Sequence, residues 1–501
     1  MGPTALNYRP RSGQLSIAMV LLAALASRAP AQVPTTAPLV PSAGLASVNL
    51  TGLPYGSSVP PFIYGVDTGI GETDNVSLAP TDKVSQTLSI TDLDFALNEQ
   101  SRLLLAQAKG DFSFIDYLQG AYGSQLTGRF DGIGAFALVP GRLVWVVQDD
   151  FGQAAIDPYT PVTPSNMENV DYFSTGPNLT LRLGGLSFVN LYLRYARSQF
   201  SGSTFDSNRA SAALAVGREI SAGAAISLNA DSEKVLFSDT AVNTNFVRNS
   251  VYGKYQVQAA RTGFEVDLGA TVIDDSPSTL VTPGLEPGSA ATTMFTPAHS
   301  DTGPYARIQL SRQVSPAAKI IFSGGRQLTD ASSSFGSPQG GAAGISGTAN
   351  AIQSTSSYTS TFGSAGWQYV RNRTTLELTG RWEKDVYPGE AVYDLTQTTA
   401  QFSIQRQIAR TFSAQLLGRY AKLDYPGAIP AALATTDYAD SLVGLALAWR
   451  HGRALEVRLR IYHDVQQAIS GGYGYHDNRA FLTVGYRPLS APPPEEPQPP
   501  S

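Results

Sequence analysis

From Ala454 to Asp464 the chain alternates without a slip, with Leu455, Val457, Leu459 and Ile461 set against Glu456, Arg458, Arg460 and Tyr462. A strict period of two places the aliphatics on one face of a strand and the charges on the other, whereas a helix would scatter them around its circumference. β-Branched Val457 and Ile461 favour the pleat as well. The pattern returns at Phe264–Val272, Leu376–Glu383 and Ala400–Gln407. Two-faced strands repeated along the chain predict an all-β fold. Specifically, they predict a transmembrane antiparallel up-and-down β-barrel with its apolar face toward lipid and its polar face toward a wet lumen.

The same reading places strands near 62–73, 84–96, 102–117, 122–138, 143–154, 173–183, 186–198, 208–218, 224–237 and 246–258. It continues near 263–274, 304–313, 318–329, 357–370, 373–385, 394–407, 411–423, 437–449, 454–464 and 479–486. That is twenty strands, with eighteen as the alternative count. Tight connections such as Val139-Pro140-Gly141-Arg142, Gly184-Gly185, Ser221-Ala222-Gly223, Arg261-Thr262, Ser315-Pro316, Arg371-Asn372 and His451-Gly452-Arg453 alternate with long polar ones at 157–172, 275–303 and 331–356. Short turns at one rim and long loops at the other are the asymmetry of outer-membrane barrels. A soluble β-sandwich or propeller also has hairpins, but its long loops need not fall at every second connection. An even count leaves both chain ends at the periplasmic rim.

The flanks set the domain organisation. Arg9 and Arg11 precede the apolar run Ile17–Ala26, and Ala29-Pro30-Ala31 gives a small-residue cleavage site before Gln32, so residues 1–31 read as an export signal. Residues 32–61, rich in Pro, Ala and Ser, read as a flexible periplasmic segment, 62–486 as the barrel and 487–501 as a Pro-rich exposed tail. After residue 30 no stretch approaches the ~20 apolar residues of a spanning helix, so any span is built of strands. The last strand, Arg479–Tyr486, ends on an aromatic and resembles the closing strand read by outer-membrane assembly machinery.

Composition narrows the chemistry. Zero cysteines exclude a disulfide framework, Cys-ligated metals and Cys nucleophiles, and a net charge of -5 argues against a nucleic-acid partner. The 23 tyrosines and 47 glycines suit interfacial girdles and tight turns. The four histidines, His299, His451, His463 and His476, show no metal-ligand spacing, and Gly336–Gly347 lacks the Lys of a phosphate loop. The sequence therefore carries no catalytic, cofactor-binding or metal-binding set, and a non-enzyme is expected. His463 beside Asp464 is the only pair that a barrel-embedded hydrolase would have to use.

Charge on the strands is the positive signal. Arg248, Lys254, Glu265, Asp267, Glu377, Arg381, Glu383, Arg419, Glu456, Arg458 and Arg460 all take the phase opposite the aliphatics, and a midplane Arg or Lys facing lipid costs about 2–4 kcal/mol. They are expected to face the lumen, either as a transverse field that screens polar solutes or sugars, or as pairs that plug the barrel. Tyr192, Tyr195, Tyr252, Tyr255, Trp367, Tyr369, Trp382, Tyr420, Trp449 and Tyr462 are sugar-stacking platforms or girdle residues, according to the face each takes.

Three stretches carry a family resemblance: Gly65–Leu78 (GVDTGIGETDNVSL), Ser89–Gly120 and Gln153–Gly184, with the Asp74-Asn75-Val76 loop, the Leu97-Asn98 turn and the Pro161–Asn169 loop as their most specific features. Through them the segment from Tyr64 to Leu183 resembles a family of β-barrel porins found with exopolysaccharide synthesis and the exosortase (PEP-CTERM) system. The resemblance implies a non-enzymatic outer-membrane barrel linked to polysaccharide secretion, with outer-membrane lipid, the assembly machinery and exopolysaccharide or its export components as partners. It supplies no catalytic residues. Three functions follow as expectations: a porin-like or export-associated channel, a closed adhesive barrel that binds through its outer loops, and the hydrolase.

Overall fold

A computed structural model describes residues 62–156, 161–241, 243–282, 292–330, 357–388, 391–426, 437–452, 454–469 and 474–488. Residues 1–61, 331–356 and 489–501, on which the readings of an export signal, a periplasmic segment, a long loop and most of the Pro-rich tail fall, lie outside them.

The first half of the chain forms β1 (Phe62–Thr73), β2 (Gln86–Gln100), β3 (Leu104–Tyr117), β4 (Gln125–Val139), β5 (Leu143–Ala155), β6 (Met167–Leu183), β7 (Ser187–Phe200), β8 (Ser207–Ser221), β9 (Ala224–Phe237), β10 (Phe246–Gln258) and β11 (Thr262–Asp275). A short pair follows, β12 (Ser278–Thr282) with β13 (Thr292–Thr296). The second half forms β14 (His299–Ser315), β15 (Ala318–Asp330), β16 (Ser357–Arg371), β17 (Thr374–Val386), β18 (Leu395–Ala409), β19 (Phe412–Asp424), β20 (Tyr438–His451), β21 (Leu455–Ala468) and β22 (Tyr475–Tyr486).

Twenty of these strands pair antiparallel, each with its neighbour in chain order, and β22 closes on β1 from Val66↔Tyr486 to Thr73↔Arg479. The result is a closed twenty-stranded antiparallel up-and-down barrel. Closure gives every strand of the cylinder a hydrogen-bonded neighbour on each side, which is what a β-structure needs in lipid. β12 and β13 form a separate two-stranded sheet inside the long connection between β11 and β14, a hairpin the sequence reading took for loop.

The rims differ as expected. At one rim two or three residues join each strand to the next, and several of these turns need a left-handed residue: Gly141 (φ 72°), Gly184 (φ 76°), Gly452 (φ 64°) and Asn372 (φ 53°). Register shifts at Ala137/Val139, Glu219/Ser221, Gln313/Ser315 and Gln407/Ala409 sit beside those turns, where a bulge adds twist. The start of β1 and the end of β22 lie at this short-turn rim. Leu97 and Asn98, read from sequence as a turn, are inside β2; the turn follows at residues 101–103, so the strand runs straight through the polar Asn98-Glu99-Gln100.

The outer face is apolar. Ile70, Leu228, Val251 and Leu268 are more than half exposed, and each is flanked in sequence by inward residues. An aromatic belt, Tyr64, Trp145, Tyr255, Trp367, Trp449 and Tyr486, circles the short-turn rim, while Phe114, Tyr195, Trp382 and Tyr420 stand toward the other. Girdles of this kind mark the two membrane interfaces. From the short-turn belt a ladder of outward phenylalanines steps across five strands, with centroid contacts Phe62–Phe95, Phe95–Phe130 and Phe112–Phe151 near 6 Å. Gly110 lies under the Phe95 ring, where any Cβ would collide with it.

Candidate functional site

Contacts that cross the lumen identify the inward phase. Ala154, Val170 and Phe200, from β5 to β7, form one buried cluster with Tyr358 of β16 and Tyr387 after β17. Along the wall, β7 and β16 are separated by six strands, so these side chains meet through the interior. By alternation, the other buried strand residues also face inward.

Those residues are charged and paired. Near the short-turn rim, Arg458 donates to Glu456 (2.6 Å) and lies 3.9 Å from Asp67, Arg460 donates to Asp92 (2.7 Å), and Arg450 to Glu456 (3.2 Å). Arg487, the residue after β22, donates to Asp67 and Asp94 and sits 3.6 Å from Glu456. This cluster therefore bridges the seam where the barrel closes. Across the long-loop half, Arg419 donates to Asp440 (2.5 Å), and Arg479 reaches Asp464 (2.8 Å) and Asp477 (2.9 Å). Elsewhere Lys254 contacts Glu265 at 2.7 Å and Asp267 at 4.0 Å, and Arg381 pairs with Glu383 at 2.9 Å beneath the Phe362 ring. Glu377 stands apart from the ion pairs and accepts from Gln368 at 2.8 Å.

Arg248 belongs to a fifth group. Its guanidinium donates to Glu233, to Thr329 (3.3 Å) and to Asp330 (3.4 Å), while Arg209 donates to Asp330 (2.5 Å) and Glu233 (3.3 Å). All four charged side chains are at most one-tenth exposed. Removing two guanidiniums from water is tolerable only because two carboxylates accept charge-assisted hydrogen bonds from both of them.

The sequence reading did not place Arg209, Glu233, Asp330, Asp67, Asp92, Asp440, Asp464, Arg479 or Arg487 among the lumen charges. Asp67 was within reach, since Val66, Thr68 and Ile70 hold the opposite phase. Asp330 was not, because nothing local says that the end of β15 turns inward.

The aromatics divide by face. Tyr192, Tyr252 and Tyr462 are buried in the interior, with Tyr252 against Tyr305 at 4.7 Å, whereas Tyr195, Tyr255, Trp367, Trp382, Tyr420 and Trp449 point outward. Tyr369 stacks beside Trp367. His463 and Asp464 cannot act together: Asp464 is 3% exposed in the lumen, while His463 faces out and contacts Asn478 at 2.7 Å. Adjacent strand residues take opposite faces. Among the described residues no group of acidic, histidine or cysteine side chains could hold a metal.

The loop from Asp74 to Ser85 is stitched across the seam. Asn75 is fully buried and its Nδ2 donates to the carbonyls of Ala79 and His476, while Asp74 accepts from the main-chain and side-chain N–H of Asn478. Partial burial acts to raise the Asp74 carboxyl, but those two donors hold it below its ordinary range.

No protein-family model matches the chain. No curated protein matches it either. Among solved structures it is similar to the ferric-catecholate import receptor Fiu from E. coli K12 in its closed form, at 10% identity over 84% of this chain and 81% of that one, with a TM-score of 0.47. It is also similar to the copper transporter OprC, at 11% identity over 86% and 82% with a TM-score of 0.40. The FrpB iron transporter from Neisseria meningitidis matches at 8% identity over 85% and 81%, with a TM-score of 0.41.

Proposed function

We propose that the chain is a non-enzymatic outer-membrane channel that passes polar solutes through a charge-lined lumen, with both chain ends in the periplasm. The observation that carries this reading is the division of faces. Opposed guanidinium and carboxylate groups line the interior around the cylinder, and an aromatic-belted apolar wall surrounds it. Among the pairs, Glu265, Arg381 and Glu383 stay partly open and present a donor and acceptors to a passing solute, while pairing of both signs leaves no net field that would reject either ion. Arg248, Lys254, Glu265, Asp267, Glu377, Arg381, Glu383, Arg419, Glu456, Arg458 and Arg460 then serve as the lumen lining.

The solute class rests on the resemblance of residues 64–183, which favours a polysaccharide or its fragments. Purified protein in a planar bilayer of bacterial lipid is expected to give discrete current steps that oligosaccharide reduces. No steps at any voltage from folded protein would favour the closed adhesive barrel instead.

A further inference from the structure

The wall of the barrel forks between β14 and β15. Their pairing runs from the turn only as far as Ala306↔Arg326. Beyond that, β14 continues on β11 to Asp275↔His299, while β15 continues on β16 alone, from Gln327↔Ser360 to Asp330↔Ser357. A strand in the wall buries every second residue. Past the fork Leu328, Thr329 and Asp330 are all buried, 4%, 6% and 1% exposed, so this stretch is enclosed on both faces and has left the wall for the interior.

What it meets there is specific. Leu328 packs into the cluster of Val235, Phe237, Phe246 and Ile273, and Asp330 takes the guanidiniums of Arg209 and Arg248. β8 and β15 are five steps apart along the wall, roughly 24 Å at the usual strand spacing. Arg and Asp side chains cannot span that distance, so the ion pair requires the hairpin end to reach across. Tyr358 on the returning strand joins the buried cluster of β5, β6 and β7.

We propose that residues 327–330 and 357–360 form a strap across the long-loop half of the lumen, that Asp330 is the residue pinning it, and that the strap sets the size limit of the channel. This rests on the channel reading above. Asp330 is the only carboxylate the strap offers to the two guanidiniums. Without it, Arg209 and Arg248 lose the charge-assisted hydrogen bonds through which they hold the strap, which favours its release.

The chain has no cysteine, so an introduced pair is the only thiol present. A Cβ at residue 303 would lie 3.3 Å from the Leu328 Cβ, within reach of a disulfide that ties the strap to β14. G303C/L328C is built with Asp330 intact and again with D330N, and unheated gel mobility checks that each barrel is folded. Oxidation is expected to form the bond readily with Asp330 and slowly with D330N. Single-channel conductance is expected to rise severalfold in D330N and to return to the original level when the D330N pair is oxidised. Equal bond formation in both backgrounds overturns the pin. Conductance that is present but identical in all forms overturns the size limit and leaves the channel reading intact. No current from any form, with the barrels folded, overturns the channel reading and the strap's role together.

Discussion

Arg487 stands one residue beyond the last strand and yet is 2% exposed, held by Asp67 of β1, Asp94 of β2 and Glu456 of β21. Two glycines make the room. A Cβ at Gly65 would lie 2.5 Å from the Arg487 Nη1, and one at Gly485 would lie 1.7 Å from the Asp67 Oδ1. The planar guanidinium fork suits two carboxylates on adjacent strands, which a lysine cannot match. Arg487→Ala leaves the buried Asp67 and the partly buried Asp94 near one another without their shared counter-ion. It is expected to destabilise the folded barrel by about 3–5 kcal/mol, the usual cost of removing one partner of a buried pair. Urea unfolding in lipid vesicles measures it, and a change within error of the parent would show that the clamp contributes nothing. This residue was illegible in the sequence. Pro488 and the prolines beyond it gave Arg487 the look of a solvated tail, and only the closure of β22 on β1 brings the two aspartates to it.

Strands were the legible elements, because lipid on one side and water on the other impose a period of two that local composition records directly. β9 and β10 fall at 224–237 and 246–258, where the alternation put them. What alternation does not encode is where a strand stops obeying the wall. The fork at Ala306↔Arg326 and the hairpin of β12 with β13 both depend on contacts far along the chain or inside a loop. The same periodicity predicts the outcome of single substitutions. Leu268 is 62% exposed on the outer face of β11, and its neighbour Asp267 is fully buried in the lumen. Leu268→Arg is expected to cost about 2–4 kcal/mol in bilayers, the penalty for a lipid-facing Arg at midplane depth. Leu268→Phe is expected to cost far less. Equal losses from the two, in the same vesicle unfolding assay, would show that this face does not meet lipid.

At the scale of the whole molecule, the even strand count, the short and long rims and the aromatic belts arise from one requirement. Every backbone amide in the hydrocarbon must find its partner within the sheet, and closure is the only way for strands to meet it. The lumen charges are the counterpart of that wall: twenty strands enclose more interior than aliphatic side chains fill, so water and ion pairs occupy it. The rim asymmetry and the charge phase could be read from spacing alone. The seam clamp and the strap could not, because each joins residues of strands that are distant along the chain.

The claim beneath all of this is that β21 has one face in lipid and one in water, and the absence of cysteine allows it to be read residue by residue. Single cysteines placed from Leu455 to Tyr462 in vesicle-embedded protein, each carrying a spin label, report collisions with oxygen, which partitions into lipid, and with a water-soluble nickel chelate. The account predicts that positions 455, 457, 459 and 461 favour oxygen and positions 456, 458, 460 and 462 favour nickel, in strict alternation. Uniform accessibility along the stretch, or oxygen favouring the charged positions, would contradict it.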